Sequence, residues 1–429
     1  MPINVPDPLN RSNRRPYYGW VIVACAAWAM TATLPGRTFG LGLITEPLLA
    51  SFHLDRVTYS ELNLMAVLLG AAFCVPIGAL MDRWGARPML TLVMTGLGAV
   101  VIVMSRTESP RVLATTLTLT RGLGESSLSL LSMALVGKWF SRRLSAAMGI
   151  YSVLIALGFV AAIPVTGYLV RHLGWRDGWQ MLGVAVLVSG VIVGLLLVRN
   201  GPKDSAIARR EFSLDPTENK PLDRDFSFRV ALATPAFWCF AVGASMYNMA
   251  FSAVALYNQS LLAEQGFDSL AGIKLLSIVL GSGILCNLLG GWLGMKISPG
   301  KLLGATLLLL AVSLAMFPAV HSQAALVVYA IAIGGTGGVV TVVFFSVWAQ
   351  LFGRSHLGRI QGAAQICSVL ASATGPLLLA RCHERYGTYG PFFFSVGAAA
   401  AISGIACWIV PLPCAAVVEP AFSAEQPEG

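Results

Sequence analysis

Apolar residues in this chain gather in long, nearly unbroken runs separated by short polar stretches rich in Gly, Pro and Arg. A helix crossing a bilayer needs about 20 consecutive apolar residues. Twelve runs meet that need, beginning near Tyr18, Thr58, Pro88, Pro110, Ser145, Gly178, Pro235, Leu270, Leu302, Ala324, Arg359 and Pro391. Irregular backbone cannot face lipid, so each run is expected to be a helix, and the runs are too long and too little alternating for a β-barrel. They are numbered spans 1 to 12 below, in chain order.

Composition agrees with this pattern. Of 429 residues, 56% are hydrophobic and 11% charged, with mean hydropathy +0.73, whereas soluble domains carry about 25% charged residues. A soluble enzyme, a disordered scaffold and a nucleic-acid binder are all disfavoured. The net charge of +9 reflects basic residues placed between the apolar runs. With the N-terminus inside, the inner segments hold 19 Lys and Arg and the outer segments 8, and Arg37 and Arg121 lie within spans. That bias predicts a multi-pass protein of the plasma or inner membrane with both termini cytoplasmic. The eight cysteines are scattered, mostly inside apolar runs. They lack metal or redox spacing and read as small buried hydrophobes.

The chain also repeats. Phe140 and Phe352, like Pro164 and Pro376, are 212 residues apart; Gly149 and Gly362, like Gly174 and Gly387, are 213 apart. A near-constant offset of half the chain predicts two six-helix halves, 18–198 and 230–412. They are flanked by a cytoplasmic tail at 1–17, with span 1 an uncleaved anchor. A charged cytoplasmic linker at 199–229 joins them, and an acidic, disordered tail follows at 413–429.

Three sites carry chemistry. The loop after span 2 reads Gly78-Ala79-Leu80-Met81-Asp82-Arg83-Trp84-Gly85-Ala86-Arg87. Gly78 allows close helix approach, Asp82 can accept from a helix N-terminus, and Arg83 and Arg87 can find carboxylates or carbonyls. In span 4, Arg121-Gly122-Leu123-Gly124-Glu125 interrupts an apolar run, with Arg121 roughly 16 Å from its outer end. An ionisable residue there costs at least about 2.5 kcal/mol and faces the bundle interior or a cavity. Glu125, at i+4, can pair with Arg121. The pair is either a structural tie or a proton-coupling device in which substrate competes for Arg121 and releases Glu125 to titrate. Arg37 follows the helix-breaking Pro35-Gly36 in the outer half of span 1. It lines a cavity, pairs with Glu46 or Glu61 at the outer rim, or snorkels outward.

These residues resemble the major facilitator superfamily. The 78–87 loop matches its G-x-L-x-D-R-x-G-x-R signature at every fixed position, and Arg121 with Gly124 matches its helix 4 arginine motif. The resemblance implies the all-α twelve-helix major facilitator fold, with Gly78, Asp82, Arg83, Gly85 and Arg87 as a latch between the cytoplasmic ends of the halves. The second copy, Gly291 to Lys301, has Met295 where the acid would be, so the latch is expected to be one-sided. Tyr18-Gly19-Trp20, Pro35-Gly36-Arg37, the 138–143 junction and Gly174-Trp175-Arg176 are similar to the monocarboxylate and oxalate–formate branch. There, a helix 1 lysine near the place of Arg37, one residue off in an ungapped reading, engages the substrate carboxylate.

The chain departs from that branch in its second half. Span 8 offers only Lys274 near its outer end and then Asn287, and span 11 offers Gln361 and Gln365. With Tyr247, Asn248, Tyr257 and Asn258 of span 7, they give a neutral cavity wall of ligand contacts or helix-packing groups. The helix 5 antiporter signature is only partly echoed by Gly158, Pro164 and Gly167. The glycines at 334–338 lie in apolar span 10 and are no phosphate cradle; no phosphate loop, metal cluster or catalytic base is evident. The expected function is therefore alternating-access transport of a small organic anion, a monocarboxylate, coupled to protons or by exchange. Arg37, Arg121, Tyr247, Asn248, Gln361 and Gln365 would face substrate, and Glu125 with Arg121 would couple protons. A monomer without cofactor, metal, nucleotide or nucleic-acid partner is expected. Two alternatives stand beside this: efflux of a hydrophobic or cationic compound held by Glu125, or a sensor that binds without transporting.

Overall fold

The computed structural model describes residues 18–54, 56–140, 143–200, 225–267 and 269–413. The 1–17 tail, most of the 199–229 linker and nearly all of the 413–429 tail lie outside the described residues. Regular structure among the described residues is helical. Ten helices are long and apolar enough to cross a membrane: Glu61–Trp84, Ala86–Arg106, Leu144–Leu173, Trp175–Leu197, Pro235–Glu264, Lys274–Leu293, Pro299–Ala319, Gln323–Phe352, Leu357–Tyr386 and Gly390–Ile409. These are spans 2, 3 and 5 to 12.

Span 2 is interrupted at Ala72 and Phe73, and the other two spans are broken beside arginines, half-buried Arg37 and buried Arg121. Span 1 runs as Gly19–Thr31, passes through a 3-10 turn at Leu34–Gly36 and resumes at Thr38–Gly42. Pro35 lacks the N–H that a continuous helix needs at this point. Span 4 runs from Pro110–Thr120 through a π-helical segment, Arg121–Leu128, into Ser129–Trp139. With these two, the fold is the expected twelve-helix bundle.

Several helices begin two or three residues before the apolar runs do, because their first turns are polar. Gly85 and Gly174, at φ of 94° and 85°, turn the chain so that helices start at Ala86 and Trp175. Pro299 opens span 9 at a position where its missing N–H costs nothing. Two short helices have no counterpart in the apolar pattern: Thr45–Phe52 after span 1 and Phe228–Ala233 before span 7.

Packing repeats with the sequence. Span 1 lies on span 5, span 2 on span 4 and span 3 on span 6; correspondingly, span 7 lies on span 11, span 8 on span 10 and span 9 on span 12. Between halves, span 2 packs on span 11 and span 5 on span 8. All hydrogen bonds that join the halves among the described residues lie at the end that carries the 78–87 loop. The bundle is sealed at that end.

Candidate substrate site

The π-helical segment of span 4 is clasped by two neighbours at glycines. A Cβ on Gly36 would stand 2.5 Å from the Thr120 carbonyl and 3.0 Å from Gly124 Cα; one on Gly70 would stand 2.9 Å from Gly122 N. Spans 1 and 2 can press onto span 4 only because these positions lack side chains. Wide π turns leave carbonyls poorly covered. Here, the Ser127 hydroxyl donates to Gly122 O at 2.7 Å.

Inside this clasp, Arg121 is 1% exposed. Its Nε and Nη2 donate to Asn63 Oδ1 at 3.2 and 2.7 Å, and its Nη1 donates to Gly36 O at 3.0 Å and Thr38 Oγ1 at 3.2 Å. Nη1 also pairs with Glu125 Oε2 at 2.8 Å. The expected pairing with Glu125 is present, but the guanidinium also ties spans 1 and 2 to span 4 and has little left to offer a ligand. The Glu125 side chain is 23% exposed, and its Oε1 accepts no hydrogen bond among the described residues.

Arg37 behaves differently. Its side chain is half-buried and folds back along span 1. Nε donates to Thr33 Oγ1 at 2.9 Å, and Nη2 donates to Ser129 Oγ at 2.9 Å and contacts Met30 Sδ at 3.1 Å. Its Cζ stands 5.6 Å from the centroid of the Phe159 ring. Arg37 therefore does not snorkel outward, and neither Glu46 nor Glu61 pairs with it. The guanidinium hangs beside Met30, about 16 Å from the Gly19 end of span 1, deeper than its Cα. It has no carboxylate partner, and Nη1 is without a hydrogen-bond partner among the described residues.

The second half supplies neutral groups, several already engaged. Asn248 Nδ2 donates to Ser368 Oγ at 2.8 Å, which ties span 7 to span 11. Tyr247 stacks on Phe251 at 5.6 Å, its hydroxyl against Gly337. Gln361 is 1% exposed and its Nε2 lacks a partner; it lies near the sealed end, one turn into span 11. Gln365, one turn further along, is half-buried and makes no hydrogen bond among the described residues.

At the sealed end, Asp82 caps span 11: Oδ1 accepts from Gly358 N at 2.9 Å and Oδ2 from Arg359 N at 3.0 Å. Lys138 Nζ stands 3.7 Å from Asp82 Oδ1. The two backbones nearly touch, since a Cβ on Gly78 would lie 2.2 Å from Gly358 O. Arg87 donates through its backbone N to Asn200 Oδ1 and through Nη2 to Leu195 O, which anchors the loop to the end of span 6. Arg83 does not follow the expectation: it is exposed and partnerless among the described residues. The second copy of the loop, with Met295 in place of the acid, packs on the start of span 5, where the Ser145 hydroxyl donates to Gly294 O at 3.3 Å.

The sequence pattern did not single out Asn63, Thr38, Met30, Thr33, Ser129 or Phe159. Asn63 carried a usable signal: it is a polar residue in an apolar run, seven residues and thus about one helix face from Gly70. Met30 and Phe159 carried none, because an apolar residue in a span looks the same whether it faces lipid or a cavity.

The family model described as Major Facilitator Superfamily matches residues 19–286 and 268–427. The chain belongs to the major facilitator superfamily. Among curated relatives of this superfamily member, Monocarboxylate transporter 13 of Bos taurus is 27% identical over 387 residues, covering 89% of this chain and 86% of the relative. Monocarboxylate transporter 13 of Rattus norvegicus is 28% identical over 389 residues, covering 89% and 86%. Two solved structures share the fold. The human organic anion transporter MFSD10 has a TM-score of 0.66 at 19% identity, covering 92% of this chain and 100% of that one. FucP in the outward conformation has a TM-score of 0.68 at 13% identity, covering 92% and 98%. The two curated relatives lie in the monocarboxylate branch that the sequence motifs resemble.

Proposed function

We propose that this superfamily member moves a small organic anion, a monocarboxylate, across a cell membrane by alternating access, with proton coupling or exchange. The observation that carries this reading is Arg37: a half-buried guanidinium near the middle of the bundle whose direct contacts are all neutral and whose Nη1 is open. A buried cation without a counter-ion is costly, and an incoming carboxylate relieves that cost with a charge-assisted bond. Arg121 and Glu125 neutralise each other, so the site carries one uncompensated positive charge.

This narrows the role of Arg121. Its place among Asn63, Gly36, Thr38 and Glu125 supports a clamp that senses the protonation of Glu125, with the anion itself on Arg37. A proton on Glu125 removes the negative member of the pair and raises the local positive charge by one, which favours anion entry. Glu125→Gln is therefore expected to retain exchange and to lose accumulation driven by a pH gradient, read as counterflow against ΔpH-driven uptake in the same vesicles. Tyr247, Asn248 and Gln365 form the neutral facing wall, and Gln361 lies beneath it at the sealed end. With both termini in the cytoplasm and the chain a monomer, sealing at the Asp82 end corresponds to a site open outward, and the 199–229 linker lies inside.

The test is uptake by proteoliposomes across a panel of labelled carboxylates. Saturable uptake of a monocarboxylate, stimulated by an inward proton gradient, is the expected result. Uptake of no carboxylate, with extrusion of a lipophilic cation that Glu125→Gln abolishes, would establish the efflux reading instead. Binding without movement of any panel member would establish a sensor.

A further inference from the structure

The acceptors around Arg37 are unequal. Thr33 and Ser129 offer hydroxyl oxygens, but the remaining contact of Nη2 is the thioether sulfur of Met30, itself 3% exposed. A thioether is a weak acceptor, whereas a carboxylate oxygen on a guanidinium is among the strongest. Phe159 lies against the group as well, so the open approach is along the edge that carries Nη1. A carboxylate that grips a guanidinium with both oxygens uses two adjacent nitrogens. Since Nη1 is open and Nη2 is engaged, a two-pronged grip across them must take one hydrogen back from Met30 or Ser129. The sulfur gives it up at the smaller cost.

We propose that Met30 is a placeholder ligand for Arg37. Its sulfur steadies Nη2 while the site is empty and yields to a carboxylate oxygen when substrate arrives, so that the residue at position 30 sets the affinity for the anion. This rests on the reading of Arg37 as the anion-binding cation. It makes Met30 a positioning residue that acts through Arg37, and it gives a methionine that looks like ordinary core a defined effect on specificity. An apolar side chain of similar size leaves Nη2 short of an acceptor and strengthens anion binding. An amide of similar length supplies a strong acceptor that competes with the anion.

The experiment compares wild type, Met30→Leu, Met30→Gln and Arg37→Gln in proteoliposomes, with acetate, pyruvate and benzoate as probes. KM and maximal rate are read from uptake, and apparent affinity independently from the shift of thermal stability with each carboxylate. The expected result is opposite movement of two near-isosteric variants. KM falls about threefold to tenfold in Met30→Leu and rises by a similar factor in Met30→Gln, the size expected when one hydrogen bond to the guanidinium is freed or blocked. Maximal rates change little. If Arg37→Gln is inactive but both Met30 variants shift KM in the same direction, or neither shifts it in uptake or thermal titration, the placeholder role is overturned and the anion site stands. If Arg37→Gln transports and binds like wild type, the anion site falls and Met30 loses its role with it.

Discussion

The two halves of this transporter share one packing scheme and divide its chemistry unequally. In the first half, polar side chains between spans 1, 2 and 4 include two arginines and a glutamate: Arg121 binds Glu125, Asn63 and the Gly36 carbonyl across three helices, and Arg37 binds the hydroxyls of Thr33 and Ser129. In the second half stand Tyr247, Asn248 and Gln365, with Gln361 nearer the sealed end: neutral groups that stack, tie helices together or stay at least half-buried. The same asymmetry recurs at the sealed end. Asp82 caps span 11 with two backbone bonds, whereas the repeat-related contact at span 5 uses the Ser145 hydroxyl on a carbonyl, with Met295 where the acid would stand. Internal duplication preserves which helices pack together, and it leaves each copy free to keep or lose its charges. One half thus keeps its charges at mid-bundle, and the other keeps neutral groups there.

Arg37→Gln should break this comparison most severely, because it removes the uncompensated charge and makes both walls neutral. Carboxylate uptake is expected to fall more than about a hundredfold, as loss of a charged contact of about 3 kcal/mol or more implies, with protein folded and inserted. Near-normal initial rates would erase the distinction between the halves. Arg121→Gln should act on stability, since it strands Glu125 and Asn63 inside the clasp. Breaking one side of a buried pair costs about 3–5 kcal/mol, read as a lowered melting temperature in detergent. Adding Glu125→Gln to it should recover part of the loss.

Smaller effects are expected at the sealed end. Asp82→Ala removes a helix cap worth about 1 kcal/mol, which moves the ratio of sealed to open forms about fivefold. A cysteine-free chain carrying Gln361→Cys would report this as faster thiol labelling from the Asp82 side. Met295→Asp is the reciprocal change: an acid restored opposite the start of span 5 should slow the same labelling. The smallest effect belongs to Asn248→Ala, which cuts the bond to Ser368. A loss of about 1 kcal/mol in stability with KM unchanged is expected; a raised KM would move Asn248 into the substrate site and give the second wall an active part in binding.

Most of the architecture was legible in the sequence, because lipid forces twelve long apolar helices and duplication leaves a fixed offset in the numbering. The Asp82 cap was legible too, since an acid at a helix–helix crossing has few places to go. The different surroundings of Arg37 and Arg121 were not. Both are lone arginines in apolar spans, and only three-dimensional packing shows that Asn63, Gly36 and Thr38 saturate one, while the other meets hydroxyls and a sulfur. Arg83 departs from expectation for a related reason: the motif fixes its position in the loop, but a partner must also come within reach.

The wide turn at Arg121–Leu128 has a consequence for the timing of the helix that carries it. Relative to an ordinary α-helix, a π-helical insertion adds a residue of phase, and one residue corresponds to about 100° of rotation. If the segment relaxed to α spacing, Arg121 could stay in its clasp while everything from Ser129 to Trp139 turned to a different bearing. Ser129 would swing away from Arg37, and Lys138 away from Asp82. One change of winding at mid-bundle would thus reset the surroundings of Arg37 and the distant seal together, with span 4 acting as a crankshaft between them.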